Sequence, residues 1–147
     1  MYLRLFALCC AAVFTVAGHA QISIENAWVR ATVPGQKATG AFMTIASEKP
    51  VQLVRAASSA VKKVEVHEMT IVDGVMKMRE VSAIDVTPGK VTELKPGSFH
   101  IMLMNLESPI ASGSTVPLTL TFRDAAGKEE MVKIDAAARE VTATQKR

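Results

Sequence analysis

Apolar residues recur along this chain in short runs with a period near two, and each run ends on a turn signal. Ile22 to Thr32 reads as a first strand, stopped by Pro34-Gly35. Gly40 to Ala46 and Val51 to Ala56 read as the next two. Val64 to Thr70 and Val75 to Val81 flank Asp73-Gly74, a dipeptide that favours the positive backbone angles of a two-residue hairpin turn. Pro88-Gly89 and Pro96-Gly97 bracket a short run from Val91 to Leu94, and Phe99 to Leu106 follows. Val116 to Arg123 and Glu130 to Ile134 make a last hairpin around Ala126-Gly127. No long helical period interrupts the series. Short strands at this spacing predict an all-β sandwich or barrel.

The two ends of the chain read differently. Arg4 precedes an apolar stretch from Leu5 to Val16, and Gly18-His19-Ala20 has the small-x-small form of a cleavage site. Residues 1–20 are therefore expected to be a cleaved secretory signal, placing the mature protein in the periplasm. The apolar stretch is shorter than the about 20 residues of a membrane span. At the other end, Ala136 to Arg147 is rich in alanine and charge. The expectation is a folded domain over 21–136 and a disordered tail over 137–147.

Both cysteines, Cys9 and Cys10, fall inside the signal, and the residues before them do not read as a lipobox. A mature chain without cysteine forms no disulfide, no zinc-thiolate site and no blue-copper centre. The 17 Lys and Arg against 14 Asp and Glu leave little net charge once Arg4 is removed, and they are interspersed. No basic stripe suggests nucleic acid.

The chemistry that remains is histidine and methionine. Beyond the signal the chain has two histidines, His67 and His100, and their neighbours include Met78 and Met102. The spacing is His67-x10-Met78-x21-His100-x-Met102. A two-residue turn at Asp73-Gly74 sets Val72 opposite Val75, Met69 opposite Met78 and His67 opposite Glu80. His67 and Met78 are then diagonal neighbours on one face. Glu68 opposite Arg79 reads as an exposed ion pair, and Val64, Val66 and Val81 turn toward the core. On the following strand His100, Met102 and Met104 share one face, while Phe99, Ile101 and Leu103 share the better core face. The histidines and methionines thus point away from the core, which predicts a shallow surface site. Met69, Met76 and Met104 read first as adaptable apolar filling or a docking surface, and otherwise as spare ligands. Met43 and Met131 read as packing, and Trp28 as core or site wall. Glu68 and Glu80 read as solvated.

Thioether sulfur with imidazole nitrogen suits Cu(I), a soft closed-shell ion without a strong geometric preference. At this spacing, and in the segments "VEVHEMTIVDGVMKMREV", "LKPGSFHIMLMNL" and "VPLTLTF", the chain resembles the periplasmic copper chaperones called PCuAC. The resemblance runs from about residue 22 to 135. It implies a cupredoxin-like Greek-key β-sandwich or barrel holding one copper ion at His67, Met78, His100 and Met102. It implies no catalysis. It also implies delivery of Cu(I) to the binuclear copper centre of cytochrome c oxidase, alongside a thiol-containing assembly factor. Ligand chemistry adds that Cu(II), which prefers histidine with oxygen donors, would use a subset of the site. The chain ends "AAAREVTATQKR", without the His- and Met-rich extension of some relatives, which speaks against a second copper site. Copper buffering or resistance is the nearest rival reading, and a copper monooxygenase a more distant one.

Overall fold

The computed structural model describes residues 21–141. The expected signal at 1–20 and the end of the expected tail, 142–147, lie outside the described residues. The described chain forms ten strands and no helix: β1 (Ile22–Arg30), β2 (Ala38–Ser47), β3 (Val51–Ala57), β4 (Lys63–Val72), β5 (Val75–Glu80), β6 (Ile84–Val86), β7 (Thr92–Leu94), β8 (His100–Met104), β9 (Thr115–Asp124) and β10 (Glu129–Arg139). The all-β expectation holds.

The strands hydrogen-bond in the order β5-β4-β8-β2-β1-β10-β9-β3-β6, with β7 joined to β2 off this path. All pairs are antiparallel except β1 with β10, where Trp28 meets Ala137 in parallel. The sheet curls so that its inward residues form one core. Val29, Ala41, Ile45, Ile101 and Leu103 from one half pack in the same cluster as Leu53, Leu118, Leu120 and Phe122 from the other. Alternation along β9 explains its placement: Val116, Leu118, Leu120 and Phe122 all turn inward by period two. Each such side chain contributes about 1.5–3 kcal/mol by leaving water.

Three expectations need correction. Ala136 onward was expected to fray, yet β10 continues to Arg139. Ala136 and Ala138 are buried, and Ala137 and Ala138 ladder onto β1. Ala136 and Ala138 turn inward on a strand laddered between β1 and β9, a role that composition alone hides. Met131, expected to pack, is 68% exposed on β10. The three-residue strand β6 has no counterpart in the sequence reading. Only Ile84 and Val86 flank one exposed residue there, too short an alternation to stand out.

Candidate metal centre

The site is built on neighbouring strands of one sheet face. The turn at Asp73-Gly74 has positive φ at both residues (52° and 72°), as a type I′ hairpin requires. It fixes the expected register: His67 opposite Glu80, Met69 opposite Met78, Val72 opposite Val75. Arg79 donates to the Glu68 carboxylate at 2.6 and 3.1 Å, the exposed ion pair anticipated there. On its other side β4 pairs with β8, and this register sets His67 directly opposite His100 and Glu65 opposite Met102. The hairpin logic brought Met78 toward His67, but nothing in the sequence showed that β8 would dock on β4 with the two histidines in line.

A second turn positions His100. Lys95, Pro96, Gly97 and Ser98 close with Ser98 N–H donating to the Lys95 carbonyl, and Gly97 takes φ of 85°. Proline then glycine at the two central positions is the signature of a type II turn. The Ser98 carbonyl accepts from the Met69 backbone N–H at 3.2 Å and from His100 Nδ1–H at 3.0 Å. A carbonyl only accepts, so the proton of neutral His100 sits on Nδ1 and Nε2 keeps its lone pair.

His67 is held the other way round. Its Nε2 lies 2.7 Å from the Glu65 carboxylate, which can only accept. Its Nδ1 is buried and has no hydrogen-bond partner. The two rings meet edge to face with centroids 5.8 Å apart. Lys63 in turn donates to Glu65 at 2.9 Å. That hydrogen bond, and then the one from His67, hold the Glu65 carboxyl below the usual carboxylate range.

His100 is only 3% exposed, so the shallow surface site expected from the face pattern is too simple. Burial pushes the His100 imidazole below its ordinary pKa, against the opposing pull of the Ser98 carbonyl. His100 forms the floor of a cavity of about 180 Å³ whose wall includes Met69, Met78, Met102, Gly40 and Phe42. Met78 stands at the outer edge, 46% exposed. His67, its side chain 12% exposed, sits beside His100 and is not part of the cavity wall. The depth comes from the aromatic neighbours. Trp28 stacks on Phe42 at 4.7 Å, and Phe42 lies 6.3 Å from His100. The Phe42 ring folds back over Gly40, where a Cβ would come within 2.7 Å of it. Trp28 thus backs Phe42 and is not itself part of the cavity wall. The remaining methionines separate: Met69 lines the cavity, while Met76 and Met104 do not.

Among the described residues, no three His, Cys, Asp or Glu side chains gather where they could hold a metal. The sulfur-bearing side chains of Met69, Met78 and Met102 line the cavity with His100. Two imidazole nitrogens with free lone pairs beside three methionines is a donor set for a soft ion. Glu65, Ser98, Phe42 and Gly40 escaped the sequence reading. Glu65 alone left a usable signal there, two positions before His67 and so on the same strand face.

The family described as "Putative lipoprotein LpqE-like" matches residues 22–134. A protein of Leifsonia xyli, also described as a putative lipoprotein, is 32% identical over 104 residues. That match covers 70% of this chain and 63% of the relative, so the chain spans less than two thirds of that protein's length. An uncharacterized protein of Rickettsia prowazekii is 30% identical over 121 residues, covering 78% of this chain and 67% of the relative. Among solved structures, the copper-bound PCuAC domain from PmoF2 superposes with a TM-score of 0.63 at 25% identity, over 84% of this chain and all (100%) of that one. The Cu(I) form of DR1885 from Deinococcus radiodurans gives a TM-score of 0.55 at 27% identity, over 78% of this chain and 76% of that one. The chain belongs to the LpqE-like family, and its fold is that of the PCuAC domains.

Proposed function

We propose that this protein is an exported, non-enzymatic Cu(I) carrier that binds one ion through His67, Met78, His100 and Met102 and passes it to a partner protein. The observation that carries the reading is the pair of facing histidines, each with one ring nitrogen tied up and the other left with its lone pair, beside a methionine-lined cavity. Two imidazoles and two thioethers are neutral ligands, and they stabilise Cu(I) without demanding a rigid geometry. The copper-bound PCuAC domain of PmoF2 and the Cu(I) form of DR1885 share this fold at 25% and 27% identity. A lipoprotein description attaches to the family and to the Leifsonia relative, which supports an exported location.

Partial exposure of Met78 favours hand-over, because an incoming ligand can reach the ion from the open side while His100 still holds it from below. The recipient we assign is the binuclear copper centre of cytochrome c oxidase, reached directly or through a thiol-containing assembly factor. Thiolate binds Cu(I) more strongly than thioether, so transfer to a cysteine site runs downhill. Buffering uses the same site without a specific recipient.

Anaerobic titration tests the binding reading. The protein should take up one equivalent of Cu(I), on the order of the single four-ligand set available. X-ray absorption of the complex should show sulfur together with nitrogen scatterers. No uptake, or a spectrum with nitrogen and oxygen alone, overturns the assignment. Anaerobic mixing of the loaded protein with an apo oxidase copper domain then separates delivery from buffering. Metal that stays behind in the presence of a thiol-bearing recipient rejects the carrier reading.

A further inference from the structure

We infer that Glu65 is a positioning residue for the metal centre: it fixes His67 in the tautomer that presents Nδ1, while the Ser98 carbonyl fixes His100 in the one that presents Nε2. This deepens the copper reading above and rests on it.

His67 carries an energetic anomaly. A buried ring nitrogen without a partner costs about 1–3 kcal/mol. His67 Nδ1 is the one buried side-chain nitrogen or oxygen without a partner among the described residues. Glu65 explains why it is left bare. The carboxylate accepts at 2.7 Å, so the proton of neutral His67 must sit on Nε2 and Nδ1 must carry the lone pair. A ring with its other tautomer would set a lone pair against a carboxylate oxygen, two acceptors in contact. Lys63 anchors the opposite carboxylate oxygen at 2.9 Å, so Glu65 cannot easily turn away.

The chain's spacing builds this device. Lys63, Glu65 and His67 alternate on β4 and so share one face. The β4–β8 register places Glu65 opposite Met102 and His67 opposite His100. Glu65 therefore stands beside two of the proposed ligands and hydrogen-bonds to His67. A partner that holds the far nitrogen of a ligating histidine fixes ring orientation and raises the basicity of the ligating nitrogen, and its loss typically lowers metal affinity about 10–100-fold. The two histidines then offer different nitrogens to one ion. The two rings meet edge to face with centroids 5.8 Å apart, on strands whose Cα positions are directly opposed.

The test uses the whole mature protein and two variants, Glu65→Ala and Glu65→Gln. Glutamine keeps an acceptor oxygen and removes the charge. Ring ¹⁵N shifts of His67 in the metal-free protein at pH 8 read the tautomer directly. Competition with a Cu(I) chelator reads affinity, and circular dichroism checks the fold. The expected result is a His67 protonated at Nε2 in the parent, a mixed or switched tautomer in Glu65→Ala, and Cu(I) affinity lower by about 10–100-fold. Glu65→Gln should restore the tautomer and most of the affinity. An unchanged tautomer and affinity in Glu65→Ala overturns the inference, as does a parent His67 protonated at Nδ1. A parent protein that binds no Cu(I) overturns the copper reading alone, because the nitrogen shifts decide the Glu65 clamp on the metal-free protein.

Discussion

The two long hairpins of this molecule have similar outlines and opposite uses. In β9–β10 the ladder runs unbroken from Glu129 opposite Arg123 to Ala137 opposite Thr115. One face of β9 is sealed by Val116, Leu118, Leu120 and Phe122. In β4–β5 the ladder is just as regular, yet all six residues of β5 are exposed, Met78 among them. Both turns depend on glycine with positive φ, at Gly127 and Gly74. The difference lies in what the inward residues do. The β9 hairpin is held by burial. The β4–β5 hairpin is held by its turn, its backbone ladder and β8, and it leaves soft sulfur within reach of solvent. If the metal binds where proposed, stability and metal handling fall to different parts of one sheet, and substitutions should separate them.

The largest effect should come from the core hairpin. Leu120→Ala removes a fully buried side chain and should lower unfolding free energy by about 2–5 kcal/mol in a urea titration. Below the unfolding transition it should still bind Cu(I) with parental affinity. A variant that loses copper in proportion to stability would show that the two regions are not separable. Next in size, His100→Ala should weaken Cu(I) binding beyond the about 10–100-fold expected for an outer partner, since it removes a proposed ligand. The matched control is Met131→Ala, an exposed site on β10 that should change stability by no more than about 0.5 kcal/mol and leave copper binding alone. Equal losses of copper from the two variants would refute the assignment.

A smaller effect tests the turn. Gly74→Ala forces a Cβ into the left-handed region at φ of 72°, though nothing crowds it there. It should cost about 1–2 kcal/mol of stability from backbone strain alone. If the turn sets the His67–Met78 diagonal, copper affinity should fall as well. Gly127→Ala in the other hairpin carries the same strain at φ of 83° and should leave copper affinity unchanged.

This contrast also explains what could be read ahead of the structure. Strand positions were legible wherever alternation was strong, as in β9, because burial on one face writes a period of two into the sequence. The β4–β5 register was legible because Asp73-Gly74 permits few turn types. The docking of β8 on β4 was not, since it depends on pairing between segments separated by three further strands. The depth of His100 was hidden for a related reason. It follows from Phe42 on β2 and Trp28 on β1, which stand beside His100 only because β8 pairs with β2 and β2 with β1. The β10 extension was hidden by alanine, which composition associates with tails and which here is buried on a strand paired in parallel with β1. The four proposed ligand positions stood out by spacing and by resemblance, while Glu65, two residues from His67, was passed over among ordinary surface charges.

Acid should distinguish the two regions last and most weakly, in the metal-free protein. Burial holds the folded-state pKa of His100 below 6.5, so the unfolded chain takes up the proton first. Stability is then intact above pH of about 6.5 and is lost as pH falls from there toward the folded pKa. Glu129 in the other hairpin is paired with Arg123 at 2.7 Å, and that hydrogen bond holds its carboxyl below 4.5. Its contribution is present above the unfolded carboxylate value and is lost only as pH falls through the lower folded one. The pair is largely solvated, so its share is small. Urea midpoints of the apo protein should therefore decline between pH 7 and 5 because of His100, before Glu129 begins to matter. His100→Gln should flatten that decline, and Glu129→Gln should not. If Glu129→Gln flattened it instead, the acid-sensitive element would be the core hairpin, and the division of labour between the two hairpins would have to be reversed.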